Sequence, residues 1–209
     1  MQLKCSYIIL LFFVIVSCKS NDVNREEIEV IGTIYKAMPK VIPPPPPKEG
    51  EMNSEIRNQN EFLKHRYGIF QEFISIQSTD YISNVFHQHE YVSGELFKEF
   101  QIDSISIQLA RSLGKLNVDE HINKKQLNDY VKENLVYLNK RFPDKEEKRK
   151  HSINGVISFS KVAFDIEHRK AAVCVGLYYG KLSASQTIYI LEKVNNVWKI
   201  KFTEVGEKS

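Results

Sequence analysis

His87-Gln88-His89-Glu90 is the one cluster of metal-capable side chains in this sequence, with His65 as a candidate third donor. A catalytic zinc needs several such donors converging on one point, with a position left open for water. Histidines at i and i+2 share one face of a strand but lie about 200° apart on a helix, so His87 and His89 act together only if the segment is not helical. If it is helical they are a polar helix surface. Gly176-Leu177-Tyr178-Tyr179-Gly180-Lys181 has the residue types of a phosphate loop. Its glycines stand too close together, though, no Ser or Thr follows Lys181, and the piece ends a strand instead of opening a helix, so the amide cradle would not form. Gly180 is better read as a turn residue. Cys174 sits between Val173 and Val175 in an apolar run, where a thiol behaves as a small core group. A nucleophilic role would need a histidine such as His151 or His168 beside it. Tyr178 and Tyr179, with the strand of Tyr189, offer an aromatic face for a ligand, and core packing or cross-strand pairing accounts for them as well. These residues imply no cofactor.

Cys18 is the residue whose context specifies chemistry. Lys4 precedes an apolar run from Tyr7 to Val16, too short for a permanent span of about 20 residues but of signal-peptide length. The run ends in Ile15-Val16-Ser17-Cys18, which resembles a lipobox: an aliphatic residue, a small one before the cut, then cysteine. The expected product is a lipoprotein cleaved before Cys18, with diacylglycerol on the thiol and a fatty acyl chain such as palmitate on the freed amine. The plainer alternative is a secretory signal cut near Ser17. Each buried methylene contributes about 0.8 kcal/mol, so two or three chains hold a domain on a membrane far better than one. Lys19 in place of an aspartate gives no retention signal for an inner membrane. The outer membrane is therefore the expected address, with the body facing the periplasm or the exterior.

Composition bounds the rest. An apolar fraction of 42% suits one domain with a real core. A formal charge of +3, one lower once Lys4 is removed, is too mild to indicate nucleic acid or an anionic membrane as a partner drawn by charge. Cys5 leaves with the signal and Cys18 is lipidated, so Cys174 stands alone and no intramolecular disulfide is expected.

The elements that must position these residues follow from periodicity. Residues 18–53 read as a lipidated, proline-rich tether. Within it Pro43 to Pro47 form a stiff polyproline spacer of roughly 15 Å, or alternatively a recognition motif, and Ile28 to Tyr35 read as a short strand. Residues 54–209 read as a single α+β domain. Helices are predicted from Ser54 to Gln77, from Ser83 to Phe100 and from Lys124 to about Arg141, where Pro143 stops the last. Ile102 to Leu109 alternates like a strand, and Asp144 to His151 reads as a solvated loop. Val156–Phe164, Lys170–Tyr179, Gln186–Val194 and Val197–Thr203 are predicted strands, with turns at Asp165–Arg169 and at Asn195-Asn196. Together they predict an antiparallel meander of about four strands with the N-terminal helices packed on one face.

Phe142-Pro143-Asp144, the run from Gly155 to Asp165 (GVISFSKVAFD), Lys170 to Val175 (KAAVCV), Leu191-Glu192-Lys193 and Trp198-Lys199-Ile200 resemble a family of small uncharacterised lipoproteins of Bacteroidetes-group bacteria. The likeness runs over roughly Lys124 to Phe202. Relatives tend to have Gly-Phe-Asn where this chain has Ala163-Phe164-Asp165, and a glycine-rich or cysteine-containing loop in place of Lys181 to Ser185. The resemblance implies an envelope address and a fold class, and no activity. The function expected is a non-enzymatic binding or accessory module, held to the membrane through Cys18 and meeting an envelope or secreted protein. The alternatives are a cryptic metal-dependent hydrolase built on His87 and His89, or an immunity protein against a secreted toxin.

Overall fold

The computed structural model describes residues 24–39, 66–76, 102–116, 118–180 and 183–208. It is an α+β protein built on one mixed sheet with helices on both faces. The first element among the described residues is a helix over 24–37 (α1), in the middle of the stretch expected to be tether and at the residues expected to be a strand. Ile28, Ile31, Ile34, Tyr35 and Met38 recur at helical spacing and all are buried, Ile31 and Ile34 completely. Glu26, Glu27 and Glu29 stand in its first turns, where negative charge suits the helix dipole, and Arg25 Nε meets Glu29 Oε1 at 3.2 Å one turn on.

This placement changes the role of the proline run. Pro43 to Pro47 connect α1 to β1 (Tyr67–Phe70), two elements of the same core, so they are not the link between Cys18 and the folded body. Pro43 to Pro47 lie outside the described residues. β1 in turn falls where the sequence predicts a helix. Tyr67 and Ile69 face α1, while the backbone pairs in parallel with β2 (Val136–Leu138) on one side and with β3 (Gly155–Phe159) on the other. Such pairing partners lie far away in the chain, and no local periodicity reports them.

The strand order is β2-β1-β3-β5-β6-β7, with β5 spanning Lys170–Gly180, β6 Ser183–Val194 and β7 Val197–Lys208. β3, β5, β6 and β7 are antiparallel neighbours, and the first of the four predicted runs is broken into β3 and a short β4 (Ala163–Phe164), which also pairs with β5. Asn195 and Asn196 have φ of 52° and 60°, the left-handed pair that a two-residue hairpin requires. His168, at φ 53°, closes the Asp165–Arg169 turn.

The helices do not share one face. α1 and α3 (Lys124–Val131) cover the side bearing Ile157, Phe159, Val173, Val175 and Leu191. On the other side α2 (Ser104–Ser112) sets Leu109 and Ala110 against Ala172, Cys174, Ile188 and Ile190. The residues of α2 were expected to form a strand. Asp103 decides otherwise: its side chain accepts the Ser106 N–H at 2.9 Å as an N-cap, and the alternation of isoleucines is resolved by leaving Ile105 46% exposed. α3 stops a little over two turns into its predicted length. Lys132 turns left-handed at φ 63°, and Asn128 Oδ1 accepts from the Leu135 N–H and the Tyr137 hydroxyl, which starts β2. The expected loop at Asp144–His151 contains a one-and-a-half-turn helix, α4 (Lys145–Lys150), capped by Asp144 and buried nowhere.

α1 and α3 meet closely at Gly32. A Cβ there would lie 2.2 Å from Tyr130 Cδ1, so only glycine admits the ring, whose hydroxyl is then 3.0 Å from Thr33 Oγ1. Lys36 reaches across to the Tyr130 carbonyl at 2.8 Å.

Candidate functional site

Two polar constellations flank the ends of α1, and a cavity lies on the opposite side of the sheet. At the helix start, Glu27 is 6% exposed, accepting the Val162 N–H at 3.1 Å on one oxygen and Lys161 Nζ at 3.0 Å on the other. Lys161 also donates to Glu120 at 2.6 Å and lies over the Phe73 ring. Burial alone would lower the lysine's pKa, but the two carboxylates outweigh it and raise it. Glu26 bridges two turns, with one oxygen 2.5 Å from Lys193 Nζ and the other 2.6 Å from His168 Nδ1. His168 is itself stacked on Phe164, which packs against Trp198. These contacts fasten the first turn of α1 to the loops at one end of the sheet.

Burial would raise the Glu26 pKa, but hydrogen bonds and charge from Lys193 and His168 prevail and hold it below the ordinary value. A carboxyl whose folded pKa is depressed stabilises the fold above its unfolded pKa, and the contribution disappears as pH falls through the folded value. Urea midpoints measured at about pH 7 and about pH 3 should therefore converge more closely in Glu26→Gln than in the native chain. An unchanged difference would show that the bridge contributes nothing to acid sensitivity.

At the other end of α1 tyrosines gather. The Tyr67 hydroxyl donates to the Pro39 carbonyl at 2.8 Å and lies 3.3 Å from the Tyr179 hydroxyl. Burial first, then the neighbouring phenols, raise the pKa of Tyr67, and burial raises those of Tyr35, Tyr137 and Tyr189. All stay neutral, and a neutral phenol orients a polar group without attacking it. Of the aromatic face expected from Tyr178, Tyr179 and Tyr189, the structure brings Tyr179 and Tyr189 to the α1 side of the sheet. Tyr178 points the other way, edge-on to Phe142 at 4.8 Å between ring centres, with Lys148 over its ring.

On the α2 side a cavity of about 190 Å³ opens beside the β6–β7 edge. Its polar lining comes from Asp103, Ser106, Lys170, Glu192 and Lys201, with Phe202 as an apolar wall. Lys170 pairs with Asp103, and Lys201 stands 3.7 Å from Glu192. The space holds a few waters or one small polar group, well under the 300–1,000 Å³ of ordinary small-molecule sites.

Cys174 is fully buried and accepts no histidine among its described contacts; its backbone N–H is held by Ser160 Oγ at 2.9 Å. Burial pushes the thiol up to about 12, against a weaker opposing pull from Arg141. Iodoacetamide should leave Cys174 unmodified in the native protein and alkylate it only in denaturant. Rapid native alkylation would mean the α2 face opens.

Cys18, His65, His87 and His89 lie outside the described residues, as do Lys181 and the helix expected over Ser83–Phe100. Among the described residues no group of three His, Cys, Asp or Glu is arranged to hold a metal. Gly176 lies inside β5, and the next described element after Gly180 is the strand β6 from Ser183, which is not the loop-to-helix arrangement of a phosphate loop. Glu26, Glu27, Lys161 and Lys193 were not singled out by sequence, since they meet across sequence separations of 134 to 167 residues. Compared with protein-family models, curated proteins and solved structures, the chain matches none of them.

Proposed function

We propose that this chain is a lipoprotein of the cell envelope, anchored through Cys18, whose domain is a binding or accessory module for an envelope or secreted protein. The observation that supports the reading most is the position of α1. A helix that packs into the core begins six residues after the lipobox cysteine, so only a short linker would separate the anchor from the domain. Lipid there would set the standing orientation of the domain as well as its address, and an oriented face is what a membrane-held binding module needs. The small, charge-paired cavity on the α2 side is a polar surface feature that such a module would present to a partner. The outer membrane and the likeness to small Bacteroidetes-group lipoproteins belong to the same proposal.

Mass spectrometry of the mature amino terminus from native membranes tests it. The expected species begins at Cys18 and carries diacylglycerol and an acyl chain, and Cys18→Ala is shed as soluble protein. An unmodified terminus would overturn the anchor. Partner capture from detergent-solubilised envelopes tests the module, and a failure to recover any reproducible protein would count against it.

A further inference from the structure

Three of the five large apolar side chains that stand exposed among the described residues occur at two adjacent turns: Ile166 at 101%, Val197 at 55% and Val194 at 38% exposure. Neither turn is loose. Asp165 Oδ1 accepts the N–H groups of Arg169 at 2.7 Å and Lys170 at 2.9 Å, which leaves Ile166 projecting from a fixed loop. Val194 and Val197 flank the Asn195-Asn196 hairpin, and the Lys193 N–H donates to the Arg169 carbonyl at 2.8 Å, tying the two turns together. Exposed aliphatic groups on rigid tips cost solvation free energy that a partner surface would recover.

The start of α1 identifies the partner. Glu26 bonds to both turns, through His168 and Lys193, so the helix enters the domain at this end. From Cys18 to Asn24 the chain has six Cα-to-Cα steps, a reach of about 20 Å at most. The carboxylates nearby are engaged: Glu26 as described, Asp165 by backbone N–H groups, Glu167 by Arg169 and Glu29 by Arg25. Among the described residues, each of these acids is thus paired and is not a free charge facing anionic headgroups.

We infer that the Ile166 turn and the Val194–Val197 hairpin form a membrane-contact face that seats the domain against the bilayer next to its own anchor. The inference rests on the lipid anchor proposed above. The lipid then supplies attachment and the tips supply orientation, which keeps the α2-side cavity at a defined height above the membrane.

Trp198, the only tryptophan of the chain, lies directly behind Val197 and is 3% exposed, so it reports on this face without labelling. The full-length protein purified from membranes would be reconstituted into phosphatidylethanolamine–phosphatidylglycerol vesicles with brominated acyl chains. The expected result is flotation with the vesicles and quenching of Trp198 emission. Quenching should be lost in Ile166→Asp/Val197→Asp, which still floats, and retained in Ile105→Asp, which alters an exposed isoleucine on α2. Flotation with no quenching overturns the contact and leaves the anchor standing. Quenching that survives in the double variant overturns the assigned surface. Unquenched Trp198 with chemically cross-linked dimers would mean that a second copy covers the tips, and it overturns the proposal too. Neither flotation nor quenching overturns anchor and contact together, whereas quenching of a chain shown by mass spectrometry to lack lipid overturns the anchor alone.

Discussion

Replacing Ile31 with alanine should lower the unfolding free energy by about 2–5 kcal/mol, the usual cost of truncating a fully buried isoleucine. Ile31 is completely shielded from solvent, in the core that also holds sheet and α3 residues, in a helix whose buried positions run from Glu27 to Tyr35. Measured against a total of about 5–15 kcal/mol for a domain, that loss is large, and a urea melt would read it as a lower midpoint with little change in slope. A tether residue would give a change near zero. Ile31 is therefore the position at which a spacer and a core helix differ most. Gly32→Ala should also destabilise, by about 1–3 kcal/mol, because the added Cβ must push the Tyr130 ring from its seat.

The second large effect is expected at Glu27. Glu27→Ala removes a carboxylate that satisfies both the Val162 N–H and one side of Lys161, in a site where Lys161 is only 15% exposed. Breaking a buried pair by deleting one partner costs about 3–5 kcal/mol in the general case. Here Lys161 keeps Glu120, so about 2–4 kcal/mol is expected, much of it from the stranded N–H. Glu120→Ala should cost about 0–1 kcal/mol, because that carboxylate is 63% exposed and its bond is screened by water. Comparing the two variants in urea separates the buried bond from the surface one to the same lysine. Equal losses would mean that the Glu27 site is more hydrated than its 6% exposure implies.

Where one residue type decides a conformation locally, the sequence reported it. Asn195-Asn196 reads as a hairpin and is one, and the valine- and isoleucine-rich runs after Gly155 are strands because their side chains suit a pleated, buried surface. Where tertiary contacts decide, it did not. Ile28 to Tyr35 holds four β-branched isoleucine or valine residues and a threonine, yet burial against both sheet and α3 selects the helical spacing that the same residues carry. Tyr67 to Phe70 becomes a strand only because β2 and β3 flank it in parallel, the pairing with the longest chain separations in the fold. In α2 a single capping aspartate outweighs a period-two pattern, and in α3 the side chain of Asn128 turns a predicted long helix into a strand.

The sites followed the same division. Cys174 was readable as core from its apolar neighbours, and of the aromatic face expected from Tyr178, Tyr179 and Tyr189, Tyr179 and Tyr189 do lie on one side of the sheet. Strand alternation already separates Tyr178 from Tyr179, so that half of the aromatic expectation carried its own correction. The bridges of Glu26 and Glu27 had no local signature, since each joins the first helix to loops more than 130 residues later.

Everything proposed about orientation depends on α1 being an integral part of the domain, directly after Cys18. Native-state hydrogen exchange of the full-length protein, resolved by peptide mass spectrometry, tests this most directly. The amides of residues 28–37 should exchange only with global unfolding, as slowly as those of the central β5 residues Ala171 to Val175. Complete exchange of 28–37 within seconds, while β5 stays protected, would contradict the account and return this segment to a tether.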